Sequence, residues 1–394
     1  MKLYAQHGFG EGEKINEGFR DNSISGVVFG PKDISPERLP ERLSELRTSF
    51  PAASVLFDPQ YYASLLGTNP NIRLGNLEDY PYFRLSRRSQ MESSDRVGEV
   101  LRASLAYQVG LPVNGIIAPN ILISRSFDSV EAVIAKNFLR LTGSAFAAVG
   151  DARPVYATLA VSQQALLDPS ELQSFLNDIT LLDSPPTGFY LLIATSSSEA
   201  RTELFNADVI AAWLLLNYTL KLAGFDVING YSDRLSPFLG AVCGDAGCTG
   251  WFNTLRTFSL ERFAPSGTGG RLPIQRYLSK RLLNRITHIE LDALRNLFPE
   301  LVNGLPHDAD YTDGEPARNR EVLQSWEAAA SLLREMTNGD TEGNLARCES
   351  ALTNAAGLYT RLAAAGIRLD ARSNSEHLEP IREGIQIFKE LAEL

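Results

Sequence analysis

Cysteine and histidine are scarce, at three and four among 394 residues. An odd, sparse set of cysteines (Cys243, Cys248, Cys348) rules out a disulfide framework as the organising device. Cys243-x4-Cys248 is not a zinc spacing. One of the two falls on a predicted helix and the other on a predicted strand, and both read as buried, inert thiols. Only His7 lies in the first two-thirds of the chain, no His-x-His pair occurs, and no ring of carboxylates sits on successive strand ends. No metal is therefore expected, and Asp58 with Asp233 is at most a weak pair for a hard cation. Long apolar runs are missing too. The longest, near 209–216, is far short of the ~20 residues that cross a bilayer. The first seven residues carry no apolar signal region, so the cytoplasm is the expected address. Positive charge is in deficit overall: the net charge is −10, which opposes non-specific binding to nucleic acid.

What is present is ordinary globular material, 44% apolar and 21% charged, enough for a sizeable core. A single core usually stops growing near ~250–300 residues, so two domains are expected. The dominant signal is alternation. Short apolar, β-rich runs at 3–6, 26–30, 54–57, 115–118, 155–161, 189–193, 225–228 and 246–252 are each followed, or nearly so, by an amphipathic stretch. Helix starts are marked by a cap residue followed by Pro, as in Ser35-Pro36-Glu37 and Asp168-Pro169-Ser170-Glu171. Alternation of this kind predicts parallel strands with crossover helices. Eight units in about 255 residues match the usual ~250 of a (βα)8 barrel. Gly8-Phe9-Gly10-Glu11-Gly12 follows the first strand, but its spacing is not the G-x-G-x-x-G of an open doubly wound sheet.

After residue 263 the alternation stops. The glycine-rich 266–270 segment reads as a linker, and helices are expected at 276–286, 289–298, 318–335, 344–365 and 378–394, with no confident strand. The expected organisation is α/β: a (βα)8 TIM barrel over 1–265 and an all-helical C-terminal domain over 271–394. Between the third strand and its helix a loop of about 35 residues carries five aromatics and then Arg84, Arg87 and Arg88. Loops of that length are usually functional when ordered, and this one reads either as a lid over the site or as a packed surface excursion.

Barrel enzymes place their sites at the C-terminal ends of the strands. Three residues there are candidate catalytic groups. His7 suits a general base. Lys32 suits an anion partner or a Schiff base. Asp58 suits proton transfer, and with Gln60 hydrogen-bond recognition. Asn120 ends the fourth strand as a further polar contact.

The best-formed local pattern is Asn229-Gly230-Tyr231-Ser232-Asp233, followed by Thr249-Gly250-Trp251 and Arg256. It resembles the closing segment of phosphate-binding barrels, including flavin-mononucleotide enzymes. In those barrels, glycine turns after strands seven and eight bind a phosphate through backbone N–H groups. The resemblance covers about 25 residues. It implies an anion pocket at Gly230, Ser232 and Gly250, with Tyr231, Asp233 and Arg256 as neighbouring ligand contacts. Trp251 stands where such barrels often have a small or basic residue. No specific family and no cofactor follow from it.

Residues 256–285 hold seven basic groups and one acid, a local +6. On an expected helix, Arg276, Lys280 and Arg281 share a face, either extending the anion site or docking nucleic acid. Two functions follow. One is a barrel enzyme acting on a small anionic, phosphorylated or nucleotide-like ligand. The other is a non-catalytic scaffold whose C-terminal helices bind a protein partner.

Overall fold

The central sheet of the computed structural model, which describes residues 1–67, 71–265, 273–312 and 314–394, is a ring of eight parallel strands, with the two-residue strand Leu122–Ile123 also paired to the fifth of them. They are β1 (Lys2–Gln6), β2 (Gly26–Phe29), β3 (Ser54–Phe57), β4 (Ile116–Ala118), β5 (Val155–Ser162), β6 (Gly188–Ala194), β7 (Asp226–Asn229) and β8 (Ala246–Thr249). Their order is β3-β2-β1-β8-β7-β6-β5-β4, so β8 closes on β1 with Lys2 opposite Ala246 and Ala5 opposite Thr249. The β3–β4 seam lacks a ladder. Asn114 bridges it instead: its side-chain oxygen accepts from Val55 N at 2.7 Å, and its own N–H donates to Val55 O at 2.8 Å. The fold is a (βα)8 barrel. Strands in such a barrel are covered on both faces, which is why β6 is buried along its whole length and reads as a continuous apolar run.

The crossover helices are α1 (Lys14–Arg20), α2 (Leu39–Ser49), α3 (Ser94–Val109), α4 (Val130–Val149), α5 (Pro169–Thr180), α6 (Ala207–Leu222) and the short α7 (Ser236–Ala241). No long helix follows β8 directly. The strand ends at Thr249 and not near 252, and among the described residues up to 265 only short 3-10 turns follow.

The C-terminal third contains a hairpin that the sequence reading missed. Residues 276–286, expected as a helix, are β9 (Arg276–Ser279) and β10 (Asn284–Thr287), antiparallel with Arg276 opposite Thr287. The turn between them puts Leu283 at φ +51°. A non-glycine residue in that region gives no Gly or Asn signal to read. The helices α8 (His288–Leu294), α9 (Arg318–Met336), α10 (Thr341–Ala364) and α11 (Leu378–Ala392) follow. The expected 266–270 linker lies outside the described residues.

Helix α9 packs against α1, α7 and β1, the place an eighth barrel helix would take. A Cβ on Gly18 of α1 would meet the Trp326 ring at 2.9 Å. Helix α11 lies against the outer side of α6. Helix α6 is therefore covered on both sides, and its run from Val209 to Asn217 is buried throughout.

The long excursion after β3 is not an open lid. Tyr61, Tyr62, Tyr80, Tyr82 and Phe83 are all buried. Tyr80 and Tyr82 pack on Phe57 and Tyr107 beside the seam. Burial of that much aromatic surface outweighs any free movement of the segment, while Arg84, Arg87 and Arg88 stay exposed.

Candidate arginine pocket at the barrel mouth

The turn after β7 carries two non-glycine residues in the left-handed region, Tyr231 at φ +53° and Asp233 at φ +38°. Such backbone is costly and persists only where the surroundings impose it. Here the side chains are fully engaged. Asp233 takes both Nη atoms of Arg285, at 2.6 and 2.8 Å, and the Thr249 hydroxyl at 2.6 Å. Burial opposes the carboxylate charge, but the Arg285 guanidinium outweighs it and holds Asp233 well below the usual carboxylate range.

Around this pair lies a cavity of about 90 Å³ lined by six arginines: Arg201, Arg234, Arg256, Arg276, Arg285 and Arg372. Its walls are the segments after β6, β7 and β8, the C-terminal mouth of the barrel, together with the β9–β10 hairpin. The lining holds two carboxylates, Asp233 and Glu199. Three arginines are ion-paired: Arg285 with Asp233, Arg372 with Glu199 at 2.7 Å, and Arg276 with Asp370. Arg201 and Arg256 have no carboxylate within ion-pair distance among the described residues, and Arg234 reaches Asp233 only at 3.9 Å. Burial, with the Arg285 charge beside it, brings Arg256 down to about 10. Burial, with Arg285 and Arg201 nearby, brings Arg234 down to about 9. Both remain cationic near neutral pH. Arg234 also stacks over Phe205 at 4.7 Å and donates to Asn284 Oδ1. Buried N–H groups at Arg201 Nη2, Arg256 Nη2 and Arg285 Nε have no hydrogen-bond partner among the described residues. Unpaired buried donors are costly unless something accepts from them.

The glycines expected to cradle phosphate serve packing. The Gly230 N–H donates to Leu191 O at 2.9 Å, and a Cβ there would strike Leu192 and the Tyr190 hydroxyl. A Cβ on Gly250 would meet Leu255 at 2.5 Å and Gln6 O at 2.8 Å. Ser232 is used internally, donating to Asn229 O, meeting Ser236 and accepting from Cys248 N. Trp251 is buried, with its Nε1 donating to Phe9 O at 2.7 Å. Of the expected ligand contacts, Asp233 and Arg256 line the arginine cavity. The Tyr231 hydroxyl instead accepts from Arg262, which also binds Asp33 at 3.0 Å.

The candidate catalytic groups are spread over the mouth. His7 is buried against Phe29, its Nε2 3.4 Å from Glu11 and its Nδ1 unpartnered. It lines a second cavity with Glu11, Asp33 and Arg42. Lys32 lines a third, donates to Arg73 O at 2.8 Å, and has its pKa lowered by burial. Asp58 is enclosed, accepting from Gln60 N at 2.9 Å and the Tyr62 hydroxyl at 2.8 Å, and burial raises it to about 6. Gln60, at φ +52°, accepts from Lys32 N at 3.3 Å, leaving its Nε2 unpartnered. Asn120 is structural: it donates to Thr158 O and accepts from Ile121 N, both at 2.8 Å.

The basic 256–285 stripe does not form, because its helix is a hairpin. Arg256, Arg262 and Arg285 turn inward, Arg276 and Lys280 pair with Asp370 and Glu335, and Arg281 is exposed. Arg271 lies outside the described residues. Arg201, Arg234 and Arg372 went unrecognised. The first two follow strand ends, a legible position, whereas nothing local marks Arg372. The two thiols also part company: Cys248 is buried on β8, and Cys243 is exposed where α7 ends in a left-handed turn at φ +70°.

No family model matches the chain, and no curated protein matches it. Solved structures show broad likeness. A glycoside hydrolase family 3 β-N-acetylglucosaminidase from Paenibacillus sp. str. FPU-7 is 11% identical with a TM-score of 0.44, over 97% of this chain and 67% of that one. The carboxyl transferase domain of Rhizobium etli pyruvate carboxylase is 11% identical with a TM-score of 0.36, over 93% of this chain and 54% of that one. Likeness this distant carries no argument about chemistry, which rests on the geometry of the chain itself.

Proposed function

We propose that the protein binds a small, multiply charged anion, phosphate-like in character, in the arginine pocket at the barrel mouth. The observation that carries this reading is the pocket itself: six arginines converge and, among the described residues, three of them lack a close carboxylate partner and three buried N–H groups lack an acceptor. A dianion or trianion would satisfy both the charge and the donors. Phosphate esters suit this better than a single carboxylate. If the ligand is a substrate, its reacting part extends toward the neighbouring mouth cavities, where His7 with Glu11 supplies a proton-transfer pair. The scaffold reading is favoured by one observation: both oxygens of Asp58 already accept hydrogen bonds from Gln60 and Tyr62.

The test is thermal unfolding with and without inorganic phosphate or pyrophosphate. Saturation at about 100 Kd is worth roughly 2.7 kcal/mol, so the wild-type melting temperature should rise. Arg256→Gln removes an unpaired buried cation. The anion-free variant should melt at or slightly above wild type and lose most of the anion-induced rise. No rise in the wild-type protein would end the proposal.

A further inference from the structure

The chain holds 19 Phe, 13 Tyr and 3 Trp. Of these 35, only Phe9 and Phe252 are exposed, at 77% and 48%. Both line the same cavity, of about 500 Å³, together with Lys32 and Arg262. Single exposed apolar residues are ordinary. It is less ordinary for every exposed aromatic of a chain to meet at the mouth of its barrel, where ligands bind.

The backbone that carries the two rings is anchored. Phe9 sits at the tip of the segment after β1, where its carbonyl accepts from Trp251 Nε1 and Lys14 lies over the Trp251 ring at 5.4 Å. Gly8 before it is pressed onto Leu255, with a built Cβ 2.6 Å from that side chain. Phe252 begins the 3-10 turn Asn253–Leu255.

This cavity abuts the arginine pocket. Ser198 lines both. Phe252 faces the aromatic cavity, while its chain neighbour Asn253 faces the arginine pocket; adjacent Cα atoms are only about 3.8 Å apart. The arginine pocket and the cavity of the two rings are thus contiguous at Ser198 and at the Phe252–Asn253 step. The aromatic cavity falls within the ~300–1,000 Å³ typical of small-molecule sites.

We infer that the ligand is a nucleotide: its phosphates occupy the arginine pocket, and its base lies against Phe9 and Phe252. This rests on the anion-binding reading above and adds the organic half of the ligand. Base–aromatic stacking tolerates any base, so the geometry names the class and leaves the base open.

The test uses the full-length protein, with calorimetric titration of pyrophosphate, ADP and ribose 5-phosphate. ADP should bind on the order of tenfold more tightly than pyrophosphate, and ribose 5-phosphate should gain nothing from the rings. Phe252→Ala should bring ADP down to the level of pyrophosphate while leaving pyrophosphate within about twofold of wild type. Phe252→Trp should keep the preference, and Phe9→Ala provides a second variant if Phe252→Ala melts early. Equal wild-type affinities for ADP and pyrophosphate, or a Phe252→Ala loss shared by both, overturn the nucleotide assignment and leave the anion pocket standing. If neither compound binds, the anion reading fails and takes this inference with it.

Discussion

Asp58 ends β3 with both carboxylate oxygens committed, one to the Gln60 N–H and one to the Tyr62 hydroxyl. Burial raises it to about 6, although those hydrogen bonds and Arg262 act the other way. The unfolded chain releases this proton near 3.8 and the folded chain holds it until about 6. The folded state therefore binds more protons between those values, and its stability falls as pH rises through that window. The cost levels off above it, on the order of 2–3 kcal/mol. Asp58→Asn should be nearly neutral at pH 4 and stabilising at pH 8, as read by urea midpoints at the two pH values. An equal effect at both would show that Asp58 ionises normally. Asp58 was legible from sequence as a polar strand end, but its enclosure was not, since Tyr62 and Tyr231 become its walls only when the barrel closes.

Elements were read well where one period ran for several turns and poorly where four-residue strands met an unmarked turn. The β9–β10 hairpin is such a case: Leu283 takes a left-handed conformation that its residue type does not announce. Its misreading hid the delivery of Arg276, Asn284 and Arg285 to the pocket wall. Helix α11 shows the opposite, an amphipathic pattern whose partner surface no local rule could identify. Its seat on α6 depends on Gly384, where a built Cβ lies 2.9 Å from both Ala207 O and the Ile210 Cβ. Gly384→Val should force the helices apart and cost roughly 1–3 kcal/mol. Denaturant unfolding should show a lower midpoint with an unchanged slope. An unchanged midpoint would mean that α11 does not rest on that contact.

For the whole molecule the question is whether the division near 265 separates two folding units. Helix α9 fills the eighth-helix position against α1, α7 and β1, with Trp326 against Gly18. Helix α11 covers α6, and residues of both parts belong to one buried apolar cluster. His307 joins them again, its ring 3.0 Å from Asp21 and 2.8 Å from Asp310. We propose that the boundary is one of architecture and not of folding. A chain ending at Pro265 should be insoluble or molten by near-ultraviolet circular dichroism, because the faces of α1, β1 and α6 would meet water. A cooperative unfolding transition for that chain would establish two independent domains.

Local patterns along the chain are enough to specify the barrel. Eight buried strands and their crossover helices each leave a local period, and parallel pairing with short connections allows few arrangements of them. The sequence also determined where to look, since strand ends become the mouth of any such barrel. Tertiary structure alone decided which polar residues share a cavity. Arg201, Arg234, Arg256, Arg285 and Arg372 come from segments up to 171 positions apart, and charge converges there only because the hairpin and the segment before α11 fold back over β6, β7 and β8. It also turned the expected phosphate glycines into packing points, because groups that crowd them, Tyr190 and Leu192 at Gly230 and the Gln6 carbonyl at Gly250, arrive from β6 and β1. Periodicity is a property of neighbours in sequence, whereas a binding site is a property of neighbours in space.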